Sequence, residues 1–299
     1  MATQAPDLTP TASKQLIAWL RIMPGRAVLE LAARVGYVAR GAVYLSVGAI
    51  ALLAALDLTP SAAGAVGAMQ AWGDWPAGLM LLWLAAWGLM AFAMWRGLQA
   101  VLDADGHGSS PRALLIRGGQ TISGFVHAAL AFSAFEVADG LEDLTEMDED
   151  GEARRAAAAL LDIPGGDLVL IAVGGFILAV GLANVAQAFF YDFSKRLECS
   201  QAACRWAVPL GKIGYFGRGM AFAPLGFFIA ESGLEARAQN VRSLGGALQT
   251  LEAQPFGSVV LSLTALGLIA FGLFAVVEAR FRRMNVPQAR LRTNTVPAE

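Results

Sequence analysis

Residues 34–48 read RVGYVARGAVYLSVG, and residues 212–226 read KIGYFGRGMAFAPLG. In both stretches a Gly-Tyr pair is followed by an Arg-Gly pair and then, seven residues later, by another glycine. The corresponding residues are Gly36, Tyr37, Arg40 and Gly41 in the first stretch and Gly214, Tyr215, Arg218 and Gly219 in the second. Each stretch leads from a basic segment into an uncharged run, which indicates the start of a membrane-spanning helix that recurs along the chain.

The composition is that of a membrane protein. Hydrophobic residues make up 56% of the 299-residue chain and charged residues only 15%, whereas soluble domains carry about 25% charged residues. The formal net charge of −2 gives no electrostatic reason to expect a nucleic-acid partner. We therefore expect the lipid bilayer to contact much of the surface.

Six apolar runs are candidates for membrane-spanning helices. Three are long enough alone, since a crossing takes about 20 residues: Trp75–Trp95, Leu168–Tyr191 and Ala253–Val277. Three reach that length only if arginines at their ends extend toward the lipid headgroups: Gly41–Leu56, Gly118–Phe135 and Gly219–Ala230. With a cytoplasmic N-terminus, the basic residues outside the cytoplasmic segments are Arg154, Arg155, Arg237 and Arg242. The positive-inside rule therefore predicts six spans with both termini in the cytoplasm.

The repetition extends beyond the opening motif. A middle copy, RGGQTISGFVHAALA at 117–131, keeps the glycines but has Gln120 and Ser123 in place of Tyr and Arg. The second run of each pair opens on a proline and glycine, in WPAG at 75–78, IPGG at 163–166 and QPFG at 254–257. At the same distance after each proline stands Gln99, Gln187 or Glu278. We predict an all-α membrane protein of three two-helix hairpins in parallel orientation, forming a pseudo-threefold bundle.

These features resemble the DUF1206 family of bacterial membrane proteins, in which GYxxRG leads the first helix of each of three two-helix repeats. The resemblance covers roughly residues 30–283 and is weakest in the middle repeat. It implies a multi-pass protein of the bacterial inner (plasma) membrane. It implies no chemistry, because the function of the family is unknown.

The predicted organisation has five parts. They are an N-terminal cytoplasmic or interfacial segment (1–33), a first repeat (34–105), a second repeat (112–195) with an acidic outer loop (142–152), a third repeat (208–284) and a cytoplasmic tail (285–299). The outer loop reads EDLTEMDEDGE. We expect it to be solvated, since its spacing fails the EF-hand pattern for calcium. The adjoining residues 154–161 are expected to form a short helix on the membrane surface.

Each first helix presents a ring between two small residues on one face. The three sets are Gly41, Tyr44 and Gly48; Gly124, His127 and Ala131; and Gly219, Phe222 and Gly226. Close helix packing at small residues explains this pattern, and a ligand-lining aromatic stripe is the alternative. His127 occupies the ring position, which favours a hydrogen-bonded packing ring over a proton carrier or metal ligand.

Arg40 and Arg218 lie near helix N-termini, where the macrodipole disfavours a cation. Anionic lipid headgroups or the C-terminal ends of the second helices are candidates to compensate them. Our hypothesis is that Arg218 pairs with Glu278 within the third hairpin, while Arg40 meets Gln99 or Asp103. The alternative is a gate for a substrate or ion.

Other polar positions carry weaker signals. Glu136 and Glu231 are repeat-equivalent at the outer ends, where they are either solvated or a ring that attracts cations. Cys199 and Cys204 lack further ligands for zinc, so we expect two free thiols. Familiar catalytic motifs such as G-x-S-x-G, the P-loop and H-E-x-x-H do not occur.

The sequence therefore predicts a non-enzymatic membrane protein without a cofactor, with a scaffold, assembly or envelope-related role. The first alternative is a small transporter or channel for a cation or small solute, lined along the pseudo-threefold axis by Gln99, Gln187 and Glu278 or by Glu136 and Glu231. The second alternative is a lipid-binding protein that uses the inner-face arginines.

Overall fold

The computed structural model describes residues 26–73, 75–103, 108, 110–140 and 148–282. Six of its helices are long and apolar enough to cross a membrane: α1 (Arg26–Ala55), α3 (Gly78–Leu102), α4 (Pro111–Asp139), α6 (Gly166–Phe190), α7 (Gln201–Glu235) and α9 (Gly257–Phe281). Three short helices connect the long helices of one repeat: α2 (Ala65–Gln70), α5 (Glu149–Leu161) and α8 (Leu244–Glu252). The described part of the chain contains no strand, only an isolated β-bridge between Leu197 and Arg282. The prediction of an all-α membrane protein with six spans is confirmed, while the common orientation of the three hairpins stays a prediction.

Two helices are longer than the apolar runs suggest. Helix α1 begins at Arg26, inside the segment predicted to be interfacial, and helix α7 is 35 residues long. The arginines assumed to end these spans, Arg40 and Arg218, lie within the helices and contact other helices of the bundle. A charged residue therefore does not mark the end of a helix here. Residues 1–25 and the predicted tail 285–299 lie outside the described residues.

The second long helix of each repeat begins in the same way, at Gly78, Gly166 and Gly257. A Cβ atom at any of these positions would overlap a carbonyl oxygen of the preceding segment, which belongs to Trp72, Leu160 or Glu252 respectively. The Pro/Gly signature thus marks a tight reversal that only glycine fits.

The most extensive packing between long helices joins one repeat to the next. Helix α3 packs against α4, α6 against α7, and α9 against α1. The repeat-equivalent glycines lie in these three interfaces. A Cβ atom at Gly41 would be 2.8 Å from the carbonyl oxygen of Gly272, and at Gly219 it would be 2.7 Å from that of Gly181. A Cβ atom at Gly124 would be 3.3 Å from the carbonyl oxygen of Ala93. The predicted packing role of the small residues is therefore present in all three copies.

Packing within a repeat occurs in the first and third copies. A Cβ atom at Gly36 would lie 2.7 Å from the backbone nitrogen of Phe92, and one at Gly214 would lie 2.6 Å from that of Phe271. At the equivalent Gly119 nothing lies within 4 Å, and α4 and α6 scarcely contact each other. In the most apolar stretch of α6 22% of residues are buried, against 56% in α9. The second repeat is therefore the most exposed to lipid.

The short outer helices lock together through polar contacts. Glu149 of α5 accepts a hydrogen bond from the backbone of Gly67 in α2. Asp150 accepts one from the backbone nitrogen of Ser243 (2.8 Å), the residue that caps α8. The Gln249 side chain of α8 in turn donates to the carbonyl oxygen of Ala62 (2.9 Å). The expectation that the loop 142–152 is solvated is thus wrong for Glu149 and Asp150, because free N–H groups at helix starts attract carboxylates. Residues 142–147 are outside the described part.

Burial raises the pKa of the Glu149 carboxyl, although hydrogen bonds from Gly67 and Gly64 oppose the shift. Because the folded protein then holds this proton more tightly than the unfolded chain, ionisation of Glu149 disfavours folding as pH rises through the folded pKa. We expect the free energy of unfolding of wild type, relative to that of Glu149→Gln, to increase when pH is lowered from neutral through the folded pKa. Chemical unfolding in detergent across pH measures this difference. Glu152→Gln, at an exposed position of the same helix, controls for the loss of a charge, and equal slopes in wild type and Glu149→Gln would contradict the prediction.

Candidate functional site

The first basic residue of the repeated motif caps the end of a neighbouring helix. Arg34 donates to the carbonyl oxygens of Ala279 and Arg280 at the end of α9. Arg117, its equivalent in the second repeat, donates to Ala100 (2.6 Å) and Val101 (3.3 Å) at the end of α3. A cation at a helix C-terminus satisfies free carbonyl groups and complements the macrodipole. The third equivalent, Lys212, is exposed.

The second basic residue of the motif is buried in the first repeat, at Arg40, and half-buried in the third, at Arg218. Arg40 is 4% exposed and its Nη2 atom lies 3.9 Å from the Oε2 atom of Glu278, which is 2% exposed. Arg282, one turn further along and just beyond the end of α9, reaches the other carboxylate oxygen of Glu278 at 2.6 Å. This ion pair joins α1 to α9.

The predicted pairings of these arginines are wrong. Arg218 donates to the hydroxyl of Tyr44 (3.1 Å) and is not within ion-pair distance of Glu278. Gln99 accepts a hydrogen bond from Arg96 (3.2 Å) rather than from Arg40. The hypothesis assumed pairing inside one hairpin, but α9 packs more extensively on α1 than on α7. Glu278 therefore pairs with Arg40 of the first repeat.

Four guanidinium groups form one group around aromatic rings, and we call Arg40, Arg96, Arg218 and Arg282 the arginine cluster. The Cζ atoms of Arg40 and Arg218 lie 4.6 and 5.0 Å from the centroid of the Phe271 ring. The Cζ atoms of Arg40 and Arg96 lie 5.1 and 5.0 Å from the centroid of the Phe92 ring. Arg282 lies over Tyr37 at 5.3 Å. Cation–π attraction stabilises each of these placements.

The two motif tyrosines have different surroundings. Tyr37 is fully buried, packs edge-on against Phe92 (5.0 Å between centroids) and belongs to the surroundings of the cluster. Tyr215 packs among Phe193, Phe271 and Phe274. The motif thus places Tyr37 beside charged side chains and Tyr215 among phenylalanine rings.

His127 packs its ring on Phe92, with 4.6 Å between centroids. Its Nδ1 atom donates to the carbonyl oxygen of Ser123 at 2.7 Å. These contacts are those expected of a packing ring. Among the described residues there is no group of three or more His, Cys, Asp or Glu side chains that could hold a metal ion.

The remaining intramembrane candidates do not come together. Gln99 and Glu278 are buried beside the cluster, whereas Gln187 is half-buried on the peripheral helix α6. At the outer ends, Glu136 is exposed and Glu231 half-buried. Of the six predicted polar positions, the structure therefore gathers Gln99 and Glu278 with the arginines and places a third, His127, at their edge through Phe92.

Cys199 and Cys204 are joined by a disulfide, with 5.6 Å between their Cα atoms, so the expectation of two free thiols is wrong. Ser200 caps α7, which puts Cys199 immediately before the cap and Cys204 at the fourth helical position. Side chains at these two positions regularly meet across the first turn of a helix. The spacing therefore contained a signal for this contact.

The rings that organise the cluster were missed from sequence. Phe92 and Phe271 each stand seven residues before the Gln or Glu that the repeats place near the end of the second helix. Seven residues are about two helical turns, so ring and polar group share one face. That recurring pair was the available signal for Phe92 and Phe271, while Arg96 and Arg282 had none beyond their positive charge.

Comparison with known proteins agrees with the three-repeat arrangement. The chain is 29% identical over 255 residues to the uncharacterized protein YxxB of Bacillus subtilis (strain 168), covering 84% of this chain and 90% of the relative. No solved structure matches the chain. The profile of the Domain of Unknown Function (DUF1206) matches three times, at residues 35–103, 118–191 and 213–282. These matches take in most of the six spanning helices, and the chain belongs to the DUF1206 family.

Proposed function

We propose that the protein is a non-enzymatic, non-conducting helical bundle of the bacterial inner membrane, with both termini in the cytoplasm and a scaffold, assembly or envelope-related role. The distribution of basic residues supports this orientation. The exposed apolar side chains of the long helices, among them Trp87, Phe125 and Phe190, support direct contact with lipid.

The observation that carries the proposal is the apolar filling of the bundle. One continuous core joins buried residues of α1, α3, α4, α7 and α9, among them Val47, Leu82, Ala131, Ala221 and Leu268. Because these helices come from all three repeats, this apolar core supports a closed bundle over one with a pathway along the predicted pseudo-threefold axis. A conducting path needs polar groups or water at that position.

The polar positions considered for a pathway are engaged or dispersed. Gln99 and Glu278 contact arginines, and Gln187 lies on the helix with the smallest buried share. The exposed Glu136 at the outer end fits an ordinary solvated helix end. These placements favour a scaffold over the transporter or channel.

Flux measurements on proteoliposomes test the proposal. Purified full-length protein is reconstituted, and potassium, sodium and proton entry is followed with ion-sensitive dyes, with an ionophore as positive control. We expect the same rates for wild type, Glu278→Gln and protein-free liposomes. Cation flux through wild-type protein above the protein-free rate would support the transporter or channel instead.

A further inference from the structure

The arginine cluster carries more positive charge than its described neighbours balance. Arg40 and Arg282 share the carboxylate of Glu278. Arg96 and Arg218 have no carboxylate within ion-pair distance in the described ranges, and their hydrogen-bond acceptors are the neutral oxygens of Gln99 and Tyr44. Two of the four guanidinium groups thus have no counter-ion in the part of the chain that the structure describes.

Helix ends do not supply the missing negative charge. The terminal carbonyl groups of α9 and α3 accept hydrogen bonds from Arg34 and Arg117, which are not members of the cluster. Arg96 and Arg218 are half-buried, and their cation–π contacts to Phe92, Phe222 and Phe271 offset only part of the cost of this partial desolvation. An unbalanced cation in a membrane helix normally marks a site for an anion or a pathway.

Two buried polar atoms of the cluster and its surroundings have no hydrogen-bond partner among the described residues. They are the Nε atom of Arg96 and the hydroxyl of Tyr37. Tyr37 is fully buried, and its ring centroid lies 5.7 Å from the Cζ atom of Arg40 and 5.3 Å from that of Arg282. Buried donors are rarely left without an acceptor, so these atoms point to a ligand that accepts hydrogen bonds.

We propose that the arginine cluster is a binding site for a phosphate group, either the phosphodiester of an anionic lipid headgroup or free phosphate. A phosphate offers several oxygen acceptors in a geometry that planar guanidinium groups match with paired hydrogen bonds. Arg96 and Arg218 are the principal ligands, and Arg40 is held in place by Glu278.

The depth of the cluster suits a headgroup. Arg96 lies about 9 Å from the end of α3 at Leu102, taking 1.5 Å per residue, and Arg282 directly follows Phe281, the last residue of α9. Helices α4 and α6 scarcely touch, and the second repeat has Gln120 and Ser123 in place of the motif Tyr and Arg. A lipid therefore reaches the cluster from the side of the second repeat.

Binding to the full-length protein in neutral detergent tests the site, with three probes: dioctanoyl phosphatidylglycerol, dioctanoylglycerol without a phosphate, and inorganic phosphate. We expect a phosphate-bearing probe to raise the unfolding temperature and the phosphate-free lipid to leave it unchanged. Arg96→Gln and Arg218→Gln should each weaken binding about tenfold or more, the effect of losing one charge-assisted contact. Arg112→Gln, which removes an exposed basic residue at the start of α4, should change the dissociation constant less than about twofold.

The probes separate the two sources of phosphate. Binding of phosphatidylglycerol alone identifies a headgroup, and binding of inorganic phosphate with the same dependence on Arg96 and Arg218 identifies free phosphate. Should a glutamine variant fail to fold, Arg96→Lys and Arg218→Lys keep the charge but lose the paired donors, and weaker binding by these variants still supports the site. The proposal is overturned if no phosphate-bearing probe binds wild type, or if Arg112→Gln weakens binding as much as the cluster variants do.

Discussion

Gly36→Ala is expected to destabilise the folded protein by about 3 kcal/mol, at the upper end of the range for an added methyl group in a tightly packed interior. The added Cβ would lie 2.7 Å from the backbone nitrogen and 2.8 Å from the Cα atom of Phe92. A helix backbone cannot rotate away as a side chain does, so α1 and α3 must separate and disturb the contacts of Tyr37 and Arg40. Unfolding of the purified variant in mixed detergent micelles, followed by tryptophan fluorescence, measures the loss.

Gly119→Ala is the matched control, because Gly119 holds the same place in the second repeat and has nothing within 4 Å of an added Cβ. Alanine is a better helix former than glycine by about 1 kcal/mol, so this variant should be as stable as wild type or more stable. Equal losses from both substitutions would contradict the open packing of the second repeat.

Glu278→Gln is expected to destabilise the protein by about 3 kcal/mol or more, because removing one partner leaves buried charges uncompensated. Arg40 and Arg282 both contact this carboxylate and are 4% and 7% exposed. Glutamine keeps the shape of the side chain, so the loss reports charge rather than a cavity. The same micelle unfolding assay measures it.

Glu136→Gln provides the comparison for Glu278→Gln. Glu136 is also a carboxylate on a spanning helix, but it is exposed at the outer end, and surface charges contribute little to stability. We expect a change below about 0.5 kcal/mol. If Glu278→Gln were equally mild, the Arg40–Glu278 pair would not be a stabilising link between the first and third repeats.

The sequence was sufficient for the local parts of the fold. Apolar length and the placement of arginines predicted six spans, and glycine spacing predicted that Gly41, Gly124 and Gly219 allow close approach of helices. These properties depend on one helix at a time, and periodicity records them directly.

The choice of neighbour could not be read in the same way. A row of glycines indicates that another helix packs closely against that face, but it does not indicate which helix. The sequence therefore predicted that Glu278 pairs with Arg218 of its own hairpin, whereas it pairs with Arg40. Gly119 shows the opposite problem, since it keeps the repeat pattern although nothing packs there. The burial of Glu149 was hidden for a related reason, because its partners are backbone N–H groups of a distant helix start, and such groups have no sequence signature.

A double-mutant cycle on Arg40 and Glu278 tests most directly the central claim, that α9 closes on α1 through a buried ion pair. Unfolding free energies are measured for Arg40→Met, Glu278→Gln and the double variant, and in parallel for Arg218→Met with Glu278→Gln. We expect the Arg40–Glu278 coupling energy to be about 2 kcal/mol and to exceed the Arg218–Glu278 coupling by at least about 1 kcal/mol. An Arg218–Glu278 coupling energy equal to or larger than the Arg40–Glu278 coupling energy would contradict the central claim.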